Sequence, residues 1–265
     1  LTKANSSIGW GIFYWVVNVG AFIGHYLPAI LLGLSIFLPG PFNAAVNSKE
    51  AWRNLFLASA VFTSFNLALL LVCKDTPSGA SKTETVGQVL KRTVTNILER
   101  RLLAWMAIMS CFWLMMFQLW DLQPNFIADW VDSGGMASGL RWLPGVIHRA
   151  LVEQTPRGPM IPQQVLLSAN SLFIIIGVVG VAWLTRRMRT LTAMLFGMMF
   201  ATVGVLVAGW TTNAWILVLG ILFFSFGEMA TGPKKIEYLA LIAPPSKKGL
   251  YLGYVNIPVG VGVYA

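Results

Sequence analysis

Six stretches of this sequence are each long and apolar enough to cross a bilayer core of about 30 Å, which takes roughly 20 helical residues. They lie near residues 10–37, 53–73, 102–120, 164–185, 191–210 and 215–233, and a seventh begins near 249. Lipid offers the backbone no hydrogen-bond partner, so runs of this length must satisfy themselves as helices. Composition agrees: 56% of the 265 residues are hydrophobic and 11% are charged, against about 25% charged in soluble domains. Mean hydropathy is +0.69. The fold class read from this is all-α, a polytopic transmembrane helix bundle.

The net charge of +9 suggests nucleic acid in a soluble protein, but here it reads as orientation. Numbering the connections alternately puts 14 of the 19 basic residues on the side that holds Lys3, the 74–101 segment, Arg186, Arg187, Arg189, Lys234, Lys235, Lys247 and Lys248. The other side holds Lys49, Arg53, Arg141, Arg149 and Arg157, balanced by Glu50, Asp121, Asp129, Asp132 and Glu153. The positive-inside rule makes the first side cytoplasmic. The expected place is a cell membrane, inner or plasma, with the lipid bilayer and not nucleic acid as the partner.

Two connections are long. Residues 74–101 open with linker composition, and Ser81 and Glu84 have capping-box spacing. Val86, Leu90, Val94, Ile97 and Leu98 then recur at helical spacing among charged residues. That pattern predicts either an amphipathic helix on the membrane surface or an extension of the next span. The outer connection, 121–162, is rich in proline, and its stretch LRWLPGVIHRALVEQ predicts a short interfacial helix. Cys73 and Cys111 both fall in apolar runs and read as helix packing residues rather than a disulfide. The chain starts at Leu1 and ends inside an apolar run, so it reads as a piece of a longer protein.

Polar residues at lipid depth are the candidate functional ones. Glu228, in FSFGEMATGP, lies roughly 20 Å along its helix from Trp215. An ionised carboxylate there costs about 2.5–3.5 kcal/mol on insertion scales. It must face a cavity, find a cation, take up a proton, or reach the interface beside Lys234 and Lys235. Gly232 and Pro233 after it predict a helix break. Asn18 sits mid-span in FYWVVNVGAFIG, and His25 follows in the same span. Gln118 ends the third span, and Asn170 lies in the fourth. No Walker, CxxC, HExxH or GxSxG pattern is present, and the histidines His25 and His148 lack metal-ligand spacing. Nothing points to an enzyme, a metal or a cofactor.

Several stretches resemble the proton-dependent oligopeptide transporter family of the major facilitator superfamily. FYWVVNVGAFIG is similar to that family's fifth-helix signature, and FWLMMFQ (residues 112–118) to its seventh-helix pattern. SANSLFIII places Asn170 where the eighth helix carries Asn-Pro. GEMATGPKKIEYLALIAPPSKKGLYLG (residues 227–253) is similar to the tenth-to-eleventh helix region. The resemblance implies helices five to ten plus the start of eleven, hence a partial major-facilitator fold. Residues 1–73 would end the N-terminal bundle, 74–101 would be the cytoplasmic linker, and 102–265 would form the C-terminal bundle. It implies uptake of di- and tripeptides driven by protons, with Glu228 and Asn170 holding the peptide amino end. Asn18 lines the pocket in that picture, Gln118 is a further polar contact, and Glu228 is also the proton-coupling group. The sequence departs at Phe117, where the family has an acid, at Ser171, where it has proline, and at Val255, which stands where tryptophan is frequent. Two other readings stay open: a facilitator for a non-peptide solute, and a membrane protein that senses or assembles without transporting.

Overall fold

The computed structural model describes residues 6–35, 49–72, 85–244 and 247–264, with the main chain alone at some of them, His25 included. The Ser81–Glu84 capping box and Cys73 lie outside the described residues. The chain divides into two compact units, residues 1–22 with 95–265, and residues 23–94.

The second unit holds the latter part of helix α1 (Ser6–Ser35), helix α2 (Lys49–Val72) and most of helix α3 (Val86–Ile97). α2 presents Phe62, Phe65 and Leu69 outward, as a lipid-facing helix must. Its hydroxyls are satisfied internally: Ser59, Thr63 and Ser64 donate to the carbonyls of Leu55, Ser59 and Ala60, four residues back. α3 begins with half of a capping box, in which the Thr85 amide donates to Gln88 Oε1 at 3.0 Å. Leu90 and Val94 are exposed along it. The chain turns at Leu98 and Glu99 before the next helix starts, so this amphipathic helix is separate and not an extension of the following span.

In the first unit, helix α4 (Arg100–Asp121) leads to the short helices α5 (Gln123–Trp130), α6 (Gly134–Gly139) and α7 (Gly145–Leu151). The stretch expected to form an interfacial helix supplies α7. A hairpin of strands β1 (Glu153–Thr155) and β2 (Gly158–Met160) follows, which the hydropathy pattern did not announce. Gly158 sits at φ 104° where the hairpin turns, a region that side chains with a Cβ rarely enter. Three long helices complete the bundle: α8 (Gln163–Thr185), α9 (Thr190–Gly209) and α10 (Ala214–Ile242). Short helix α11 (Lys248–Gly253), a 3-10 turn and α12 (Ile257–Tyr264) come last. Among the described residues, five helices are long and apolar enough to span a membrane, and α1 adds an apolar stretch over Ile8–Gly24.

Contacts at the two ends agree with the alternation of sides. At one end the Asp132 amide donates to the Thr212 carbonyl, and the Ala214 amide to Asp132. At the other end Lys247 donates to Asn96 and Tyr251 to Glu99.

α9 and α10 form the tightest pair. A Cβ on Gly197 would lie 2.8 Å from the Gly227 carbonyl, and one on Gly204 would lie 2.6 Å from that of Gly220. Small residues let backbones approach this closely in lipid, where dispersion and not hydrophobic expulsion drives helix association. Gly227 faces α9. Glu228, about 100° further around the helix, is thereby turned toward α1 and α8.

Pro233 does not break its helix. α10 runs through it to Ile242. Proline removes one N–H, but unwinding in apolar surroundings would orphan several backbone groups, so continuing is cheaper. As a result Lys234, Lys235 and Glu237 belong to the helix and are buried, where a connection outside the bundle was expected.

Candidate functional site

The site lies within the first unit, where the early part of α1 meets α8 and α10. Gly11 and Trp15 bring α1 onto α8. A Cβ on Gly11 would lie 3.0 Å from that of Ala182, and the Trp15 indole donates to the Ile175 carbonyl at 2.9 Å. One turn of helix carries Tyr14 to the α10 side. Its ring crosses Gly232, where a Cβ would stand 2.9 Å from Cζ. Glycine there clears the path to the carboxylate one turn earlier.

Glu228 is the centre. Its Oε1 accepts from the Tyr14 hydroxyl at 2.5 Å, and its Oε2 from Asn170 Nδ2 at 3.1 Å. Asn170, 1% exposed, also donates to Ser225 Oγ at 3.0 Å. Ser225 in turn donates to the Ile221 carbonyl. Three helices thus converge on one carboxylate through fully directed hydrogen bonds. In low dielectric such bonds to a charged acceptor are strong, and losing any one is costly. Among the described residues Glu228 makes no ion pair with Lys234 or Lys235; Lys234 pairs with Glu237.

The other predicted residues fall in different places. Asn18 is buried on α1, one turn from Tyr14, and its Nδ2 donates back to the Tyr14 carbonyl at 2.9 Å. It stands next to the cluster without bonding Glu228. Gln118 turns back to the Leu114 carbonyl at 3.0 Å, and no hydrogen bond joins it to Tyr14, Asn170 or Glu228. The side chain of His25 lies outside the described residues. Cys111 is free and exposed on α4 and so does not pack inside the bundle.

Tyr14, Ser225 and Lys235 were not singled out from the sequence. For Tyr14 the usable signal was its place one turn before Asn18, on the same helix face. Lys235 is buried with its ammonium 4.1 Å from the ring centre of Trp113 on α4. Next to it, Lys234 pairs with Glu237 at 2.8 Å. A separate cavity of about 420 Å³ lies at the far end, under the hairpin, lined by residues including Val131, Ser133, Arg157 and Gln163.

Helices of lipid-spanning length thus close on one half-buried carboxylate. The sequence profile of the Major Facilitator Superfamily matches residues 1–264. The chain belongs to that superfamily. No curated protein matches it significantly. It is therefore a multi-pass membrane protein of a transporter family, and its bundle is part of the major-facilitator fold.

Proposed function

We propose that this facilitator carries out proton-coupled uptake of di- and tripeptides or closely related solutes. Access alternates by rocking of two bundles around a site near the midplane. The observation that carries the reading is the convergence of Asn170 and Tyr14 on Glu228. A carboxylate set between neutral donors can be neutralised in two ways, by a proton or by the ammonium of a solute. Exchange of one for the other couples the two movements. Asn170 and Glu228 hold the amino end, Tyr14 orients the carboxylate, and Asn18 and Gln118 provide further polar contacts as the bundles rock.

In this reading the protein lies in the inner or plasma membrane with residues 74–101 on the cytoplasmic side. Residues 1–73 end one bundle and 102–265 belong to the other. Gln118 follows Phe117, where the oligopeptide family has an acid. That substitution favours a second reading, a facilitator for a different solute with weaker coupling to protons. The deciding experiment is uptake of labelled dialanine into proteoliposomes that hold the full-length parent, with and without an inward proton gradient. Uptake that follows the gradient supports the peptide reading. Uptake of other solutes in a screen, with dialanine excluded, selects the second.

A further inference from the structure

We infer that the corner where α3 ends, α4 begins and α11 begins is a binding surface for an acidic phospholipid of the cytoplasmic leaflet. Arg100, Arg101, Lys247 and Lys248 receive its phosphate, and the apolar face of α3 with Leu98 enters the acyl boundary. This surface lies outside the polar cluster around Glu228, and the inference does not rest on the peptide reading.

The apolar face raises the question of what covers it. Leu90, Val94 and Leu98 follow one another at four-residue spacing, and all three are exposed. Ile97 packs against the core of the first unit, so the end of α3 is anchored there. Only Leu98 and Glu99 separate α3 from α4, and α4 opens a stretch of membrane-spanning length. Three residue steps reach at most about 11 Å, which keeps the end of α3 at the level of the lipid headgroups. An amphipathic helix held at that depth buries its apolar side chains at the acyl boundary.

Charge selects the lipid. Residues 86–101 hold Lys91, Arg92, Arg100 and Arg101 against the single acid Glu99. Two hydrogen bonds bring α11 to the same corner. Lys247 donates to Asn96 Oδ1 at 2.7 Å, and Tyr251 donates to Glu99 Oε2 at 2.6 Å. Residues 95–101 and 247–251 all belong to the first unit. Arg100, Arg101 and Lys248 are exposed, and among the described residues none of them has a carboxylate partner. Lys247 uses one of its three N–H donors on Asn96 and keeps two. Guanidinium groups take phosphate oxygens two at a time, and basic clusters just cytoplasmic of a span attract anionic headgroups. A zwitterionic lipid carries its own ammonium, which these four cations repel.

The test uses the full-length parent in detergent. It is titrated with dioctanoyl phosphatidylglycerol, dioctanoyl phosphatidylcholine and glycerol phosphate, and binding is read from the rise in thermal midpoint. The expected Kd for the phosphatidylglycerol is lower than that for the phosphatidylcholine by roughly twentyfold, about fivefold for each of two basic contacts. Arg100→Gln with Arg101→Gln and Lys248→Gln removes the preference, and Arg100→Lys with Arg101→Lys and Lys248→Arg keeps it. Leu98→Ser weakens both lipids alike. If the glutamine variant does not fold, salt decides on the parent. Going from about 0.1 M to 1 M shortens the screening length from about 10 Å to 3 Å and closes the gap between the lipids. A gap indifferent to salt overturns the inference, as does equal affinity for the two lipids or a preference unchanged in the glutamine variant. Glycerol phosphate that binds as tightly as the phosphatidylglycerol also overturns it, since the corner would then hold a soluble anion.

Discussion

Tyr14 and Glu228 are 214 positions apart and share a hydrogen bond from phenol to carboxylate. That bond crosses from α1 to α10 at the point where Gly232 leaves room for the tyrosine ring. It ties the first described helix to the helix that carries the half-buried acid. Any rocking of α1 away from α10 has to break it.

Glu228→Gln keeps one of the two acceptor oxygens, puts an NH2 donor in place of the other, and cannot exchange a proton for an ammonium. Gradient-driven dialanine uptake by the full-length parent is expected to fall at least tenfold, about 1.4 kcal/mol in the barrier. Equal uptake by variant and parent would remove Glu228 from the mechanism.

Tyr14→Phe leaves Oε1 of Glu228 without its donor. Leaving an acceptor oxygen unsatisfied costs about 1–3 kcal/mol, and more when the group is charged. The expected result is a lower midpoint in thermal unfolding of the detergent-solubilised protein, together with slower uptake. A variant with normal stability and normal uptake contradicts the role of the bond.

Gly232→Ala places a methyl where the Tyr14 ring lies, 2.9 Å from Cζ. Overpacking of this kind costs about 1–3 kcal/mol. Combining it with Tyr14→Ala, which clears the space, is expected to recover part of the loss. Strict additivity in that double-mutant cycle would show that the two positions do not touch.

Gly227→Val forces a side chain into the α9 backbone, where even a Cβ would meet that of Ala201 at 2.7 Å. Backbone cannot yield as a side-chain tip does. The folded yield in membranes, measured by size-exclusion chromatography, is expected to collapse. Normal yield would mean that α9 and α10 are not packed this closely.

Lys234 and Glu237 form a buried pair at 2.8 Å. Breaking such a pair by Glu237→Gln is expected to cost about 3–5 kcal/mol, while replacing both with apolar residues is near neutral. Thermal midpoints of Glu237→Gln and of Lys234→Met with Glu237→Leu check this. If the double replacement is worse than the single one, the pair does more than neutralise itself.

Much of the fold was legible before any coordinates. Hydropathy located the spans because a bilayer imposes one length on every helix that crosses it. The segment after residue 85 announced an amphipathic helix through its spacing, and the turn at Leu98 separated it from α4. Pro233 was misleading. Its effect on a helix depends on whether water is present to satisfy what unwinding releases, and letters alone do not carry that. The hairpin at 153–160 was too short to have a hydrophobic pattern of its own.

The sequence by itself determined that this chain lives in lipid as a helix bundle, and that Glu228 and Asn170 were expensive residues in need of partners. Both conclusions follow from transfer energies of single residues, which are local. Only the tertiary structure decided who those partners are. Tyr14, Asn170 and Glu228 come from helices far apart in the chain, and they meet because Gly227 sets how closely α10 lies on α9 and so which way the next side chain points. The same packing left Lys235 with the face of Trp113 in place of an acceptor. Distances between helices depend on all of their contacts together, and no single stretch of sequence encodes them.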